Sequence, residues 1–398
     1  MNQFTKILFV CIMLTITMSV NAQDKRDMFN PVNTSVTSQS IAPDARAAGM
    51  GDVGAATDPD VVSQYWNPAK FAFMESHGGI AANYTPWLRK LGVTDIHLAY
   101  VTGYYKWDDV QGISASFNYF SLGEVKLTDL NGTFLQDAHP NEWSLDVAYS
   151  RKLHEYVSMA VALRLLYSDM NAPSTGNGQP DLTRGITGAA DVAVYYRQPI
   201  DLPMGTSHIA AGINISNLGG KMSFDNNATR NFIPANLRLG VSYELPFNEY
   251  NYMTFALEIN KLLVPTRQSK YTEGYDKDDP STWEMSSADY SKMSSVQGIF
   301  RSFADAPRGI GEEFQELQVG AGIEYTYNHQ FFARFGYSHE DKTKGNRRYF
   351  TFGAGFKLSI FSLDASYVKS IQPSNPLDNT FRVSLGFDLA GIKDLVKN

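Results

Sequence analysis

From residue 78 onward the chain alternates, again and again, between an apolar residue and a small or polar one. Val157, Met159, Val161, Leu163, Leu165 and Tyr167 fall on one face of a strand, and Ser158, Ala160, Ala162 and Arg164 on the other. Trp143, Leu145, Val147 and Tyr149 alternate with Ser144, Asp146, Ala148 and Ser150 in the same way. A water-soluble sandwich also alternates, but with a bulky inner face and an outer face rich in Lys, Glu and Thr. Here the bulky face is complete and its opposite is small, polar and in places charged. That pattern belongs to strands with lipid on one side and a polar lumen on the other. No segment after the N-terminal region reaches the 18 or so consecutive apolar residues of a membrane helix.

The alternating segments are 78–86, 94–105, 110–121, 142–152, 156–168, 185–198, 207–217, 234–245, 250–263, 315–328, 330–340, 347–358, 360–369 and 380–389. They predict an all-β, 14-stranded antiparallel transmembrane β-barrel, an even number as a closed bacterial barrel requires. If the first strand starts in the periplasm, alternate turns should be short and the others long. The long connections, Leu122–Asn141, Asp169–Arg184, Leu218–Ile233, Val264–Phe314 and Ser370–Asn379, all share one parity. The turn Pro199–Thr206 is long for its set. Aromatic residues, at 13% of the chain, gather near strand ends, for example Trp107, Trp143, Tyr149, Tyr167, Tyr327 and Phe361. Amphipathic rings there form the girdles at the membrane interfaces.

Residues 1–22 read as a signal peptide: Lys6, an apolar run from Ile7 to Ile16, and a cleavage site at Val20, Asn21 and Ala22. Cleavage removes Cys11, the one cysteine of the chain, so disulfides and thiolate metal sites are excluded. Residues 23–77 lack alternation and are rich in Ala, Gly, Asp and Pro. This segment is expected to be a plug or hatch that begins in the periplasm and packs inside the barrel of residues 78–389. Residues 390–398 form a C-terminal tail. Gly49, Gly51 and Gly54 formally match a dinucleotide fingerprint, but no strand precedes them and no helix follows, so close backbone packing is the expected role. Asp44, Arg46, Asn67 and Pro68 are the other candidate plug contacts, with Pro68 suited to a first helical turn.

Inward positions carry Asp146, Asp191, Glu258, Glu324, Asp364 and Asp388 against Arg164, Arg238, Arg334 and Arg382. Mixed signs point to paired groups that hold a plug, whereas an ion-selective pore favours one sign. A net charge of −7 excludes nucleic acid as a partner by bulk electrostatics. None of the seven histidines forms HExxH, and no GxSxG occurs. Asp276, Asp278 and Asp279 lack the glycine and distal Glu of a calcium loop. No cofactor, metal or catalytic residue is expected, and the chain is not expected to be an enzyme. The long loop Val264–Phe314 mixes Tyr271, Tyr275, Trp283, Tyr290, Phe300 and Phe303 with charged residues, a composition suited to protein recognition.

The run DARAAGMGDVG at Asp44–Gly54, with DPDVVSQYWNPA at Asp58–Ala69 ahead of the strand pattern, resembles the FadL-like barrel superfamily. Within it, the chain is most similar to the PorV family, outer-membrane components of the type IX secretion system of Bacteroidetes. The resemblance implies residence in the outer membrane among lipid and lipopolysaccharide. It also implies binding of exported cargo, through a C-terminal sorting domain, as the cargo leaves a large SprA/Sov-type translocon. Delivery to a sortase-containing attachment complex would follow. Tyr275, Trp283, Tyr290, Phe300 and Phe303 are then the candidate partner contacts. The alternatives are a transporter of hydrophobic small molecules and a lipopolysaccharide deacylase.

Overall fold

The computed structural model describes residues 29–389 apart from 90–91, 130, 173–181, 226–228, 359, 373–374 and 376. The expected signal peptide and C-terminal tail therefore lie outside the described residues. In chain order the strands are β1 Gly78–Pro86, β2 Ile96–Lys106, β3 Gln111–Leu122, β4 Val125–Thr128, β5 Phe134–Ala138, β6 Asn141–His154, β7 Val157–Ala172 and β8 Leu182–Leu202. They continue as β9 Gly205–Gly219, β10 Asn236–Asn248, β11 Asn251–Leu262, β12 Gln318–Tyr327, β13 Phe331–His339, β14 Arg348–Lys357, β15 Phe361–Ser370 and β16 Phe381–Asp388. All but β4 and β5 form one closed antiparallel barrel of 14 strands, sealed where β1 pairs with β16. The expected fold class is the one observed.

Alternation sets which face is which. Along β6, Ser144, Asp146, Ala148 and Ser150 are buried while Leu145, Val147 and Tyr149 are exposed on the outer wall. The same inversion of soluble-protein logic holds at Leu163, 68% exposed, beside buried Ala162 and Arg164. Rings stack along the outer wall near strand ends, as in Trp143–Tyr167 and Trp107–Tyr149.

Three features differ from the sequence expectation. The connection Leu122–Asn141 contains its own hairpin, β4–β5. Strands β8 and β9 extend to a tight turn at 203–204, so the connection expected over Pro199–Thr206 becomes as short as its set demands. The third concerns direction. Asn30 bonds to Thr343, Gln268 and Glu312, and Ser35 to Phe232, all in connections at the long-loop end. The segment ends at the other rim, where Lys106 donates to the Met74 carbonyl. The first described residues thus lie at the long-loop mouth, whereas the expectation placed the start of the segment at the short-turn mouth. Local pattern carries no information on which mouth a threaded segment enters.

Phe29 is 63% exposed at that mouth. With no cysteine after Cys11, Phe29→Cys should react with a membrane-impermeant maleimide on intact cells. Labelling only after outer-membrane permeabilisation would show that the long-loop end faces inward.

Candidate functional site: the filled lumen and the long-loop face

The N-terminal segment crosses the lumen as short turns of helix, Ala45–Ala48, Ser63–Trp66 and Pro68–Phe73. So irregular a chain has many backbone groups that no ladder satisfies, and inward side chains of the wall meet them. Glu258 accepts from the Gly54 and Ala55 N–H groups at 2.8 and 2.7 Å. Asn214 donates to the Trp66 carbonyl, Arg238 to that of Tyr65 and Ser242 to that of Ala56. Ser384 and Thr351 accept from the Ala45 and Gly51 N–H groups. Contacts from strands all around the barrel place the segment inside it.

Each singled-out residue of the segment has a definite task. Asp44 caps the first turn by accepting from the Ala47 N–H and holds the Trp66 indole at 2.6 Å. Arg46 bridges Asp60 at 2.9 Å and Glu324 at 3.1 Å. Asn67 donates to the carbonyls of Ala55 and Val194 and caps the turn that Pro68 opens. Gly51 has φ +79°, and a Cβ there would meet the Tyr337 carbonyl at 2.7 Å. Gly49 and Gly54 leave no room either, against Gly353 and the Trp66 ring. These glycines serve close packing.

Among the described residues the lumen arginines face carboxylates, Arg382 excepted, whereas the buried Glu142 carboxylate accepts from the Ser38 N–H and Asp388 from the Ser76 hydroxyl. Arg164 joins Asp146, Asp191 and Asn217, with Asp191 placed at a β-bulge of β8. Arg334 joins Glu324 and Asp364, so Glu324 is shared with Arg46. Arg238 stands 3.9 Å from Glu258 and lies over the Tyr65 and Trp66 rings. Arg382 is buried, and among the described residues no carboxylate pairs with it.

At the long-loop mouth, residues 263–317 fold into short helices at Ser287–Lys292, Ser295–Arg301 and Ile310–Gln315. Tyr290, Met285 and Met293 pack with Phe232, Leu263 and Val264, and Val32 of the N-terminal segment joins them. Trp283 is 5% exposed, its indole N–H donating to the Asp276 carbonyl at 2.8 Å. Tyr290 donates to the Pro265 carbonyl, and half-buried Tyr275 to that of Pro307. The expected partner contacts thus divide: Trp283, Tyr290 and Tyr275 build the loop's own core, which their exposure-blind sequence signal could not show. Phe300, at 74%, and Phe303 face outward. Val296, Ile310 and Phe314, at 64–76% exposure, join them and were not anticipated. Their only sequence signal is spacing by four, Val296 with Phe300 and Ile310 with Phe314, legible once those segments are known to be helical.

Beneath this face, Lys261 pairs with Glu313 and Glu316, and Lys344 with Glu312 and Glu316. Asp305 accepts from the Thr266 N–H and hydroxyl. Oxygens of Asp305, Glu313 and Glu316 lie within 4.8 Å of one another. Burial, and then the negative charges of Glu316 and Glu313, push the Asp305 carboxyl up to about 7. Burial also opposes ionisation of Glu312, but Lys344 and Arg308 outweigh it and hold that carboxyl down to about 2.

A closed 14-stranded barrel that holds its own N-terminal segment in the lumen and gathers its long loops at one mouth has the FadL-like barrel fold. It superposes on the TodX deltaS2S3 mutant monoaromatic hydrocarbon channel with a TM-score of 0.50 at 12% identity, over 86% of this chain and 98% of that one. The Pseudomonas putida toluene transporter TodX gives 0.49 at 12% (90% and 98% covered) and a Pseudomonas aeruginosa FadL homologue 0.46 at 13% (87% and 99%). No curated protein sequence matches the chain. The family described as type IX secretion system protein PorV matches residues 22–269, well over half of the chain, and the chain belongs to that family.

The carboxyls make the loop's pH dependence explicit. Asp305, raised in the folded loop, contributes stability that is complete below its ordinary value near 3.8 and is lost as pH rises through about 7. Glu312, depressed, contributes above its ordinary 4.5 and loses that contribution as pH falls toward about 2. Limited proteolysis of the loop should therefore speed up between about pH 6 and pH 8.5. Asp305→Asn keeps an acceptor for Thr266 and should flatten that rise; an unchanged rise would assign it to another group.

Proposed function

We propose that this barrel receives exported cargo at the type IX translocon, engaging its C-terminal sorting domain, and passes it to the sortase-containing attachment complex at the surface. Family membership supports the setting. The observation that carries the reading is the long-loop face: Val296, Phe300, Phe303, Ile310 and Phe314 stand exposed on a scaffold with its own packed core. Exposed apolar side chains on an ordered scaffold cost little entropy on docking, which is how a few anchors dominate a protein interface. Buried Trp283, Tyr290 and Tyr275 act one step back, by holding that scaffold.

Phe300→Ser with Phe314→Ser should cut surface delivery of cargo while barrel abundance and heat-modifiable folding stay unchanged. Anchors of about 2 kcal/mol correspond to roughly 30-fold in affinity. Trp283→Ala should instead raise the loop's protease sensitivity. Normal delivery in the double variant would remove this face from cargo handling, and a conduit for hydrophobic small molecules predicts that result.

In the same reading residues 23–77 act as a plug that keeps the lumen shut, so cargo is engaged at the long-loop mouth and does not pass through the barrel. The hydrogen bonds and ion pairs from the wall to Gly54, Ala55, Arg46 and Asn67 support this. Deleting 44–69 should raise planar-bilayer conductance from near zero to that of an open pore. A wild-type barrel that already conducts would refute the closed lumen.

A further inference from the structure

Arg382 is the exception among the lumen arginines. Arg46, Arg164, Arg238 and Arg334 each face one or two carboxylates, whereas Arg382, at 1% exposure, has none among the described residues. Its Nε and Nη1 have no hydrogen-bond partner. The neighbouring strands repeat the deficiency at the same level. On β15, Ser366 is the direct cross-strand partner of Arg382, is 2% exposed, and has an unpartnered Oγ. On β1, Tyr84 pairs with Val383, which brings the next inward residue, Thr85, beside Arg382; Thr85 is fully buried and its Oγ1 is unpartnered. One guanidinium and two hydroxyls thus face inward from three adjacent strands. All can donate hydrogen bonds, and among the described residues no acceptor meets Nε, Nη1 or either hydroxyl.

A buried guanidinium without a counter-charge is strongly unfavourable, and unmet hydroxyls on both sides add to the cost. Water could satisfy the hydroxyls but leaves the charge uncompensated. A single negative charge held by all three side chains resolves both deficiencies. We propose that Thr85, Ser366 and Arg382 form a binding site for a small monovalent anion of chloride's size. The site lies toward the long-loop end of the β1–β16 pair, the seam at which the barrel closes. The bound anion neutralises Arg382 and ties β15, β16 and β1 together there. This inference does not rest on the cargo-receiving role.

The test uses the full-length barrel in detergent, with chloride exchanged for gluconate at constant ionic strength. Chloride should raise the heat-modifiable unfolding temperature saturably, by an amount on the order of a few degrees. Arg382→Met should abolish the dependence. Since that variant could fail to fold, Thr85→Val with Ser366→Ala provides a second arm. It should shift the half-saturating chloride concentration upward about 10-fold. Bromide substitution in crystals should place an anomalous peak within hydrogen-bonding reach of Arg382. Three results would overturn the site: an identical salt response in wild type and both variants, ordered water alone beside Arg382, or a bromide peak without any effect on stability, which marks an adventitious ion only.

Discussion

A peptide group left unpaired in hydrocarbon costs several kcal/mol, so a chain without membrane helices can span a bilayer only as a sheet with no edge. Every other feature of this molecule follows from that closure. Pairing of β1 with β16 removes the last free edge and fixes one face of every strand toward lipid. Alternation then leaves a polar lumen, and fourteen strands make it wide enough to need filling. The N-terminal segment runs through it.

Filling creates a second problem of the same kind. The segment is irregular, so its own amides and carbonyls need partners inside the barrel. Glu258, Asn214, Arg238, Ser242 and Ser384 supply them, and their polarity is affordable only because the segment is there. Glu324 shows the mutual dependence best: it neutralises Arg334 of the wall and Arg46 of the segment together. Removing either arginine leaves the buried carboxylate under-compensated. Wall and filling are one folding unit.

The long-loop face is built on top of that unit. Asn30 and Val32 of the segment contact the same loop that Lys261 and Lys344 hold through Glu312, Glu313 and Glu316. The loop inherits its order from the barrel mouth and from the threaded chain, which frees Phe300 and Phe314 from any structural task. Such division between ordered support and uncommitted apolar surface is what a docking face requires.

The sequence by itself determined the strand number, the lipid and lumen faces and the clustering of long loops at one end, because those follow from local period-two alternation. The mixed signs of the lumen charges were also legible, as was the tight packing implied by Gly49, Gly51 and Gly54. Only the tertiary structure decided which charges meet: Asp191 reaches Arg164 through a bulge, and Arg382 reaches no carboxylate. It also decided that Trp283 and Tyr290 turn inward while Phe300 turns out, and that the N-terminal segment enters at the long-loop mouth. The physical reason is range. Alternation is set between neighbours along one strand. Pairing across the lumen depends on strand register and on position around the barrel, which residues hundreds of positions apart fix jointly.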